Sequence, residues 1–132
     1  MKNGIITLLL IFFLQNTFGQ SDDRKCLRHY QSNSATYFYG VTEIIIHSDS
    51  TYTWKSYEVN SKNEWKKYKK NKPEISVGKI TQNGKFITLT EYRNGNKTDF
   101  NWTVKITNKR LNFYYPNKNE KLRKSAKYKR IL

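Results

Sequence analysis

The sequence predicts an all-β chain, an antiparallel up-and-down meander that closes into a small barrel, and three observations carry that expectation. Strand formers dominate: Thr, Tyr, Phe, Trp, Val and Ile are abundant, while Ala, Leu and Met together number seven between residues 20 and 132. Turn signals punctuate the chain at Ser48-Asp49-Ser50, Asn83-Gly84, Asn94-Gly95 and Asn108-Lys109. Each of these turns sets apolar residues opposite apolar residues, which is what a sheet with one buried face demands. Short connections favour a meander over a Greek key, whose fourth strand returns by a long link.

Residues 1–19 read as a secretory leader. Lys2 precedes the apolar run Ile5 to Leu14, roughly ten residues where a bilayer span needs about twenty. Gly19 supplies the small residue of a cleavage site at Gly19/Gln20, and residues 20–132 follow as one domain. The chain is therefore expected to be exported, to the periplasm or beyond, with no transmembrane segment once the leader is removed.

In the mature part, strands 42–47 and 51–59 are joined at Ser48-Asp49-Ser50, which sets Ile46 opposite Tyr52 and Ile44 opposite Trp54. Segment 61–72 fits neither period, because Trp65 and Tyr68 are three apart. A short helical turn, a bulged edge strand and a long loop all stay open there, with Pro73 as the stop. Strands 75–82 and 85–93 pair around Asn83-Gly84, a two-residue turn signal that sets Ile80 opposite Ile87. Asn94-Gly95 leads into strand 96–107 and sets Leu89 opposite Phe100. Around Asn108-Lys109, Ile106 faces Leu111, Val104 faces Phe113 and Trp102 faces Tyr115, which makes 110–115 a strand. The last strand, 122–131, places Leu122, Ala126 and Tyr128 on one face, for seven strands in all.

Several of these segments resemble the small secreted lipocalin-like, calycin-type β-barrel domains of Bacteroidota. The resemblance rests on the strand entry Asp49-Ser50-Thr51-Tyr52-Thr53-Trp54, the hairpin from Gly78-Lys79-Ile80 to Ile87-Thr88-Leu89-Thr90, and the closing Tyr128-Lys129-Arg130. It implies a barrel with a ligand inside or at its mouth. Gly40-Val41-Thr42 carries Thr where lipocalins carry Trp, and Arg130 is the basic residue that would pack over an aromatic ring, here Trp54.

No constellation for catalysis is present. The carboxylates Glu43, Glu58, Glu74, Glu91 and Asp99 are scattered singly, and His29 and His47 have no spaced partner. Gly-rich phosphate loops, His-Glu-x-x-His and nucleophile elbows are missing, so the chain reads as non-enzymatic, without cofactor or metal. The single cysteine, Cys26, follows Arg24 and Lys25 rather than an apolar lipidation box, and it is a free thiol or one half of an intermolecular bridge. A monomer is expected.

Two kinds of binding residue stand out. Trp54, Trp102, Tyr115 and Tyr128 fall on inward faces, where they fill the barrel or hold a small apolar or carbohydrate ligand. The chain also carries 25 Lys+Arg against 10 Asp+Glu, a formal charge of +15. Lys66, Lys67, Lys69 and Lys70, with Trp65, form a cluster suited to an anionic envelope surface or an acidic partner. Lys outnumbers Arg 19 to 6, and export removes the chain from nucleic acid, so no nucleic-acid partner is expected.

Overall fold

The computed structural model describes residues 23–32 and 38–131; the expected leader and its cleavage site lie outside them. Eight antiparallel strands follow one another and close into a barrel: β1 (Arg24–Ser32), β2 (Phe38–Ile46), β3 (Thr51–Val59), β4 (Glu74–Asn83), β5 (Phe86–Arg93), β6 (Asn96–Ile106), β7 (Arg110–Pro116) and β8 (Leu122–Arg130). The expected all-β up-and-down barrel is the architecture observed, with one strand more than the turn signals reveal. That strand is β1, and it closes the barrel through Cys26 opposite Arg130 and Leu27 opposite Lys129. Its inward positions include Arg24 and Arg28 beside Cys26 and Tyr30, so its apolar residues do not alternate in the way that marks a strand.

The register agrees with the sequence at two turns and departs from it at three places. Ile46 faces Tyr52 and Ile44 faces Trp54, as expected. Ile106 faces Leu111 and Val104 faces Phe113, and the ladder ends at Thr103 with Tyr114, one step short of Trp102 and Tyr115. Asn83, however, pairs with Phe86, so the turn is Gly84-Lys85 and Ile80 faces Leu89 rather than Ile87. Gly84 takes φ +64° there, in the left-handed region that glycine enters without a steric cost.

The Asn94-Gly95 turn is correct, with both residues at positive φ. Beyond it a bulge sets Thr98, Asp99 and Phe100 against Glu91 alone, and Leu89 faces Trp102 instead of Phe100. Both of these shifts are by two residues, so every side chain keeps its face. In β8 the irregularity adds one residue, between the pairs Asn112–Lys127 and Tyr114–Lys124. An odd shift reverses the alternation, which is why Ala126 and Tyr128 stay in the core while Leu122 is exposed.

Two apolar clusters result. Inside the barrel Cys26, Ile44, Tyr52, Leu89, Val104 and Leu111 pack with Phe113 and Tyr128. Cys26 is a fully buried free thiol, and burial raises its pKa while Arg24 and Arg130 nearby oppose the rise. Outside the barrel Val41, Tyr57 and Val59 pack with Tyr68.

The second cluster exists because segment Lys62–Lys70 is a 3-10 helix laid against β2 and β3, kinked at Lys67. Glu64 organises its start by accepting a hydrogen bond from the Asn60 N–H at 2.9 Å. Trp65 and Tyr68, three apart, share the face turned toward the sheet. β2 is thus covered on both sides, which accounts for the unbroken burial of its centre, the polar Thr42 and Glu43 included.

The topology places the helix and the turns after β5 and β7 at one end of the barrel, hereafter the helix end. The turns after β2, β4 and β6 lie at the opposite, hairpin end, together with the start of β1 and the finish of β8.

Candidate functional site

Aromatic rings form a continuous run through the barrel. Tyr128 contacts Phe113 at 5.1 Å between centroids, Phe113 contacts Trp54 at 5.6 Å, and Trp54 contacts Trp102 at 5.0 Å. Trp102 then stacks on Phe100, 6.4 Å away and within 14° of parallel. Each such contact is worth roughly 0.5–1.5 kcal/mol beyond the area it buries.

Exposure grows along the run: Tyr128 and Phe113 are buried, Trp54 and Trp102 are half-buried, and Phe100 is 58% exposed. The deep members of the run are core, and Trp102 with Phe100 is the part a ligand can reach. The principal clefts of the described residues are lined by neither Trp54 nor Trp102. Rings therefore pack the barrel centre, and the accessible aromatic surface lies toward the helix end.

Of the four expected ligand residues, Trp54, Trp102 and Tyr128 are brought together. Tyr115, about half exposed near the helix end of β7, stands outside the run of ring contacts. Arg130, the residue expected over Trp54, instead sends its guanidinium to the Asn108 carbonyl at 3.1 Å.

Polar groups border the aromatic run. The Trp54 indole N–H donates to Ser56 Oγ at 3.1 Å. Glu91 follows Leu89 on the inward face of β5 and is 8% exposed. Its carboxylate accepts from the Thr98 hydroxyl at 3.0 Å and from Arg93 at 3.3 Å. The bulge makes this arrangement: it brings Thr98 to Glu91, and the Phe100 N–H donates to Thr98 Oγ1 at 3.2 Å. One irregularity thus sets both the carboxylate's partner and the exposed ring of Phe100.

Tyr52 sits in the same cross-strand row, Tyr52–Gly78–Glu91. Its ring is buried and its hydroxyl has no hydrogen-bond partner. Burial first, and the Glu91 charge second, push its pKa up to about 12. Below pH 10 the phenol is neutral in both the folded and unfolded chain; above it, only the unfolded chain releases the proton readily. Stability from this group should therefore hold below about pH 10 and fall as pH rises toward about pH 12. The slope should be at most about 1.4 kcal/mol per pH unit. Urea unfolding across this range should show the fall in the wild type and a shallower one in Tyr52→Phe; equal slopes would contradict this.

Lys66, Lys67, Lys69 and Lys70 are exposed on the 3-10 helix. Trp65 does not project with them. Its ring packs against His29 at 5.4 Å and Tyr39 at 5.7 Å, with the Lys62 ammonium 5.8 Å from its centroid.

Beneath the helix is a feature that single-strand patterns do not show. Glu43, 1% exposed, accepts a hydrogen bond from the Tyr68 hydroxyl. Burial, then the bond to Glu43, holds the Tyr68 phenol far above its ordinary pKa. The available signal was the run Ile44-Ile45-Ile46, which puts an apolar residue on the outer face of the strand as well as the inner one, and the three-residue spacing of Trp65 and Tyr68.

No group of three or more His, Cys, Asp or Glu among the described residues is placed to hold a metal ion. No helix among them is long and apolar enough to cross a membrane. Comparison of the chain with family models, curated proteins and solved structures gave no significant match. Fold and local chemistry therefore carry the functional reading.

Proposed function

We propose that this chain is an exported, non-enzymatic binding module of the cell envelope whose barrel takes a carbohydrate ring at its helix end. The observation that carries the reading is the aromatic run, packed at Tyr128 and exposed at Phe100, with Glu91, Thr98 and Ser56 beside it. A sugar presents an apolar face to a ring and hydroxyls to flanking polar groups, and this border offers both. The packed centre favours a ligand at the mouth over an apolar chain threaded inside. The closed eight-stranded meander supports the resemblance to small secreted lipocalin-like domains, and the leader-like residues 1–19 support export.

Cellobiose and N-acetylchitobiose are suitable probes, followed by the quenching of tryptophan fluorescence. Phe100→Ala removes an exposed ring and should weaken binding about threefold to tenfold, the equivalent of one aromatic contact. Stability should change little. Trp102→Ala should abolish the quenching. Undiminished binding by both variants, or no disaccharide bound by the wild type, would remove this reading.

The second reading is docking on anionic envelope polymers or an acidic partner. It is favoured by the four exposed ammonium groups of Lys66, Lys67, Lys69 and Lys70 on one short helix, whose acidic residue Glu64 is engaged with Asn60. It requires affinity that falls steeply with salt and that weakens when these lysines become Gln.

A further inference from the structure

The outer face of β6, β7 and β8 gathers basic side chains into rows. Val104, Leu111, Phe113 and Tyr128 pack inward, so the residues that alternate with them point out of the barrel. Arg110 stands opposite Lys129 in the first outward row, Asn112 stands between Lys105 and Lys127 in the second, and Tyr114 stands opposite Lys124 in the third. The one-residue irregularity in β8 is what puts Lys124 on the same face as Lys127.

This arrangement works against the sheet. Like charges directly opposite destabilise an antiparallel ladder, and Arg110 with Lys129 is such a pair. β7 and β8 contain no acidic residue, and none of the five cations takes part in an ion pair among the described residues. Asn112 points the same way yet is only 5% exposed, so the stems of its neighbours close over it and are ordered by doing so. Its side-chain oxygen has no hydrogen-bond partner there. A face that only confers solubility has no need to oppose like charges or to pack lysine stems together.

Two features define the occupant. The rows follow one another at about 7 Å, so about 14 Å separates the first from the third, and a small anion reaches only one of them. The rings of Tyr114 and Phe86, edge to face at 5.1 Å, are half-buried on the same face and offer contact to the apolar side of a sugar ring.

We propose that this face binds a linear acidic polysaccharide laid along β7, with its carboxylates on the three basic rows and one sugar ring against Tyr114. The site deepens the anionic-polymer reading and rests on it, with the polymer on the sheet instead of on the 3-10 helix. It is separate from the disaccharide site, whose Trp102 lies on the inner side of the wall.

The full chain is titrated at low salt with galacturonic acid and with its linear oligomers. Affinity should rise steeply with length and level off once the oligomer spans about 14 Å. The Lys127→Gln, Lys129→Gln double variant should bind the longest oligomer at least about tenfold more weakly. With the repulsion relieved it should melt no lower than the wild type. Lys55→Gln, Lys79→Gln removes the same charge from the outer faces of β3 and β4, across the barrel, and should stay within about twofold. Polyglutamate of equal charge, which has no sugar ring for Tyr114, should bind at least about threefold more weakly than the oligomer. Equal losses in the two double variants, as general attraction to a +15 chain would produce, would overturn the sheet site and leave docking through the helix standing. No binding of any of these polymers would overturn both, and polyglutamate binding as tightly as the oligomer would overturn the polysaccharide.

Discussion

Gly78→Val is expected to cost the barrel about 3 kcal/mol or more of stability, at the upper end of what overpacking a core costs. Gly78 lies between Tyr52 on β3 and Glu91 on β5, and the Tyr52 ring passes over it. A Cβ at this position would stand 2.0 Å from the Thr90 carbonyl oxygen and 2.6 Å from Tyr52 Cε1. The first neighbour is backbone in the next strand, so relief requires β4 and β5 to part. The glycine is required by space, since its φ is not in the left-handed region. Urea unfolding of Gly78→Val against Val77→Ala makes the comparison. Val77 is about half exposed on the other face of the strand, and its truncation should change stability by at most about 0.5 kcal/mol. A Gly78→Val chain within about 1 kcal/mol of the wild type would mean that the Tyr52 ring does not lie against β4.

The second large effect concerns Glu43. Its carboxylate is almost fully buried between β2 and the 3-10 helix and accepts a hydrogen bond from Tyr68. Tyr57, whose ring centroid is 4.9 Å from that of Tyr68, is also held above its ordinary pKa by burial and then by the Glu43 charge. Tyr68→Phe preserves the ring and its packing but removes the donor. Leaving a charged acceptor buried without it should cost about 3 kcal/mol, the upper part of the range for such groups. Replacing both partners by apolar residues, Glu43→Leu with Tyr68→Phe, should restore much of the loss, because no unsatisfied charge remains. A double-mutant cycle measures this directly: strong coupling is expected, and additive effects would show that the pair is not a unit.

The sequence made legible whatever depends on alternation within a strand. β3 was readable to its ends, and Ile46–Tyr52 and Val104–Phe113 were readable as pairs, because each strand carries large apolar residues at every second position next to a turn signal. Two departures, at Gly84-Lys85 and at the Thr98–Phe100 bulge, left faces unchanged, so Trp54, Trp102 and Tyr128 were placed correctly on the interior. The one-residue irregularity in β8 was different. It reversed the alternation and put Leu122 in solvent, and nothing in the stretch Leu122-Arg123-Lys124-Ser125-Ala126 announces where a strand will bulge.

What remained hidden depends on stagger between strands or on cover from outside. Glu91 meets Thr98 only because a bulge on β6 faces it. Tyr52 lies over Gly78 because of the β3–β4 register. Glu43 meets Tyr68 across 25 residues of chain because a helix folds back over β2. β1 is hidden in the sequence for a related reason: its inward arginines are stabilised by the closed barrel, with Arg28 set against the buried Tyr128 hydroxyl, and that environment exists only after closure.

The three tryptophans provide the most direct test of the central claim, that a sugar binds on the accessible end of the aromatic run. Trp54 and Trp102 belong to the run, and Trp65 packs on the opposite face of the sheet beneath the helix. Their indole N–H resonances can be followed together during a titration with N-acetylchitobiose. The Trp102 resonance should move most, the Trp54 resonance less, and the Trp65 resonance should stay in place. Movement of Trp65 with Trp102 unchanged, or no movement of any of the three at saturating disaccharide, would contradict the account.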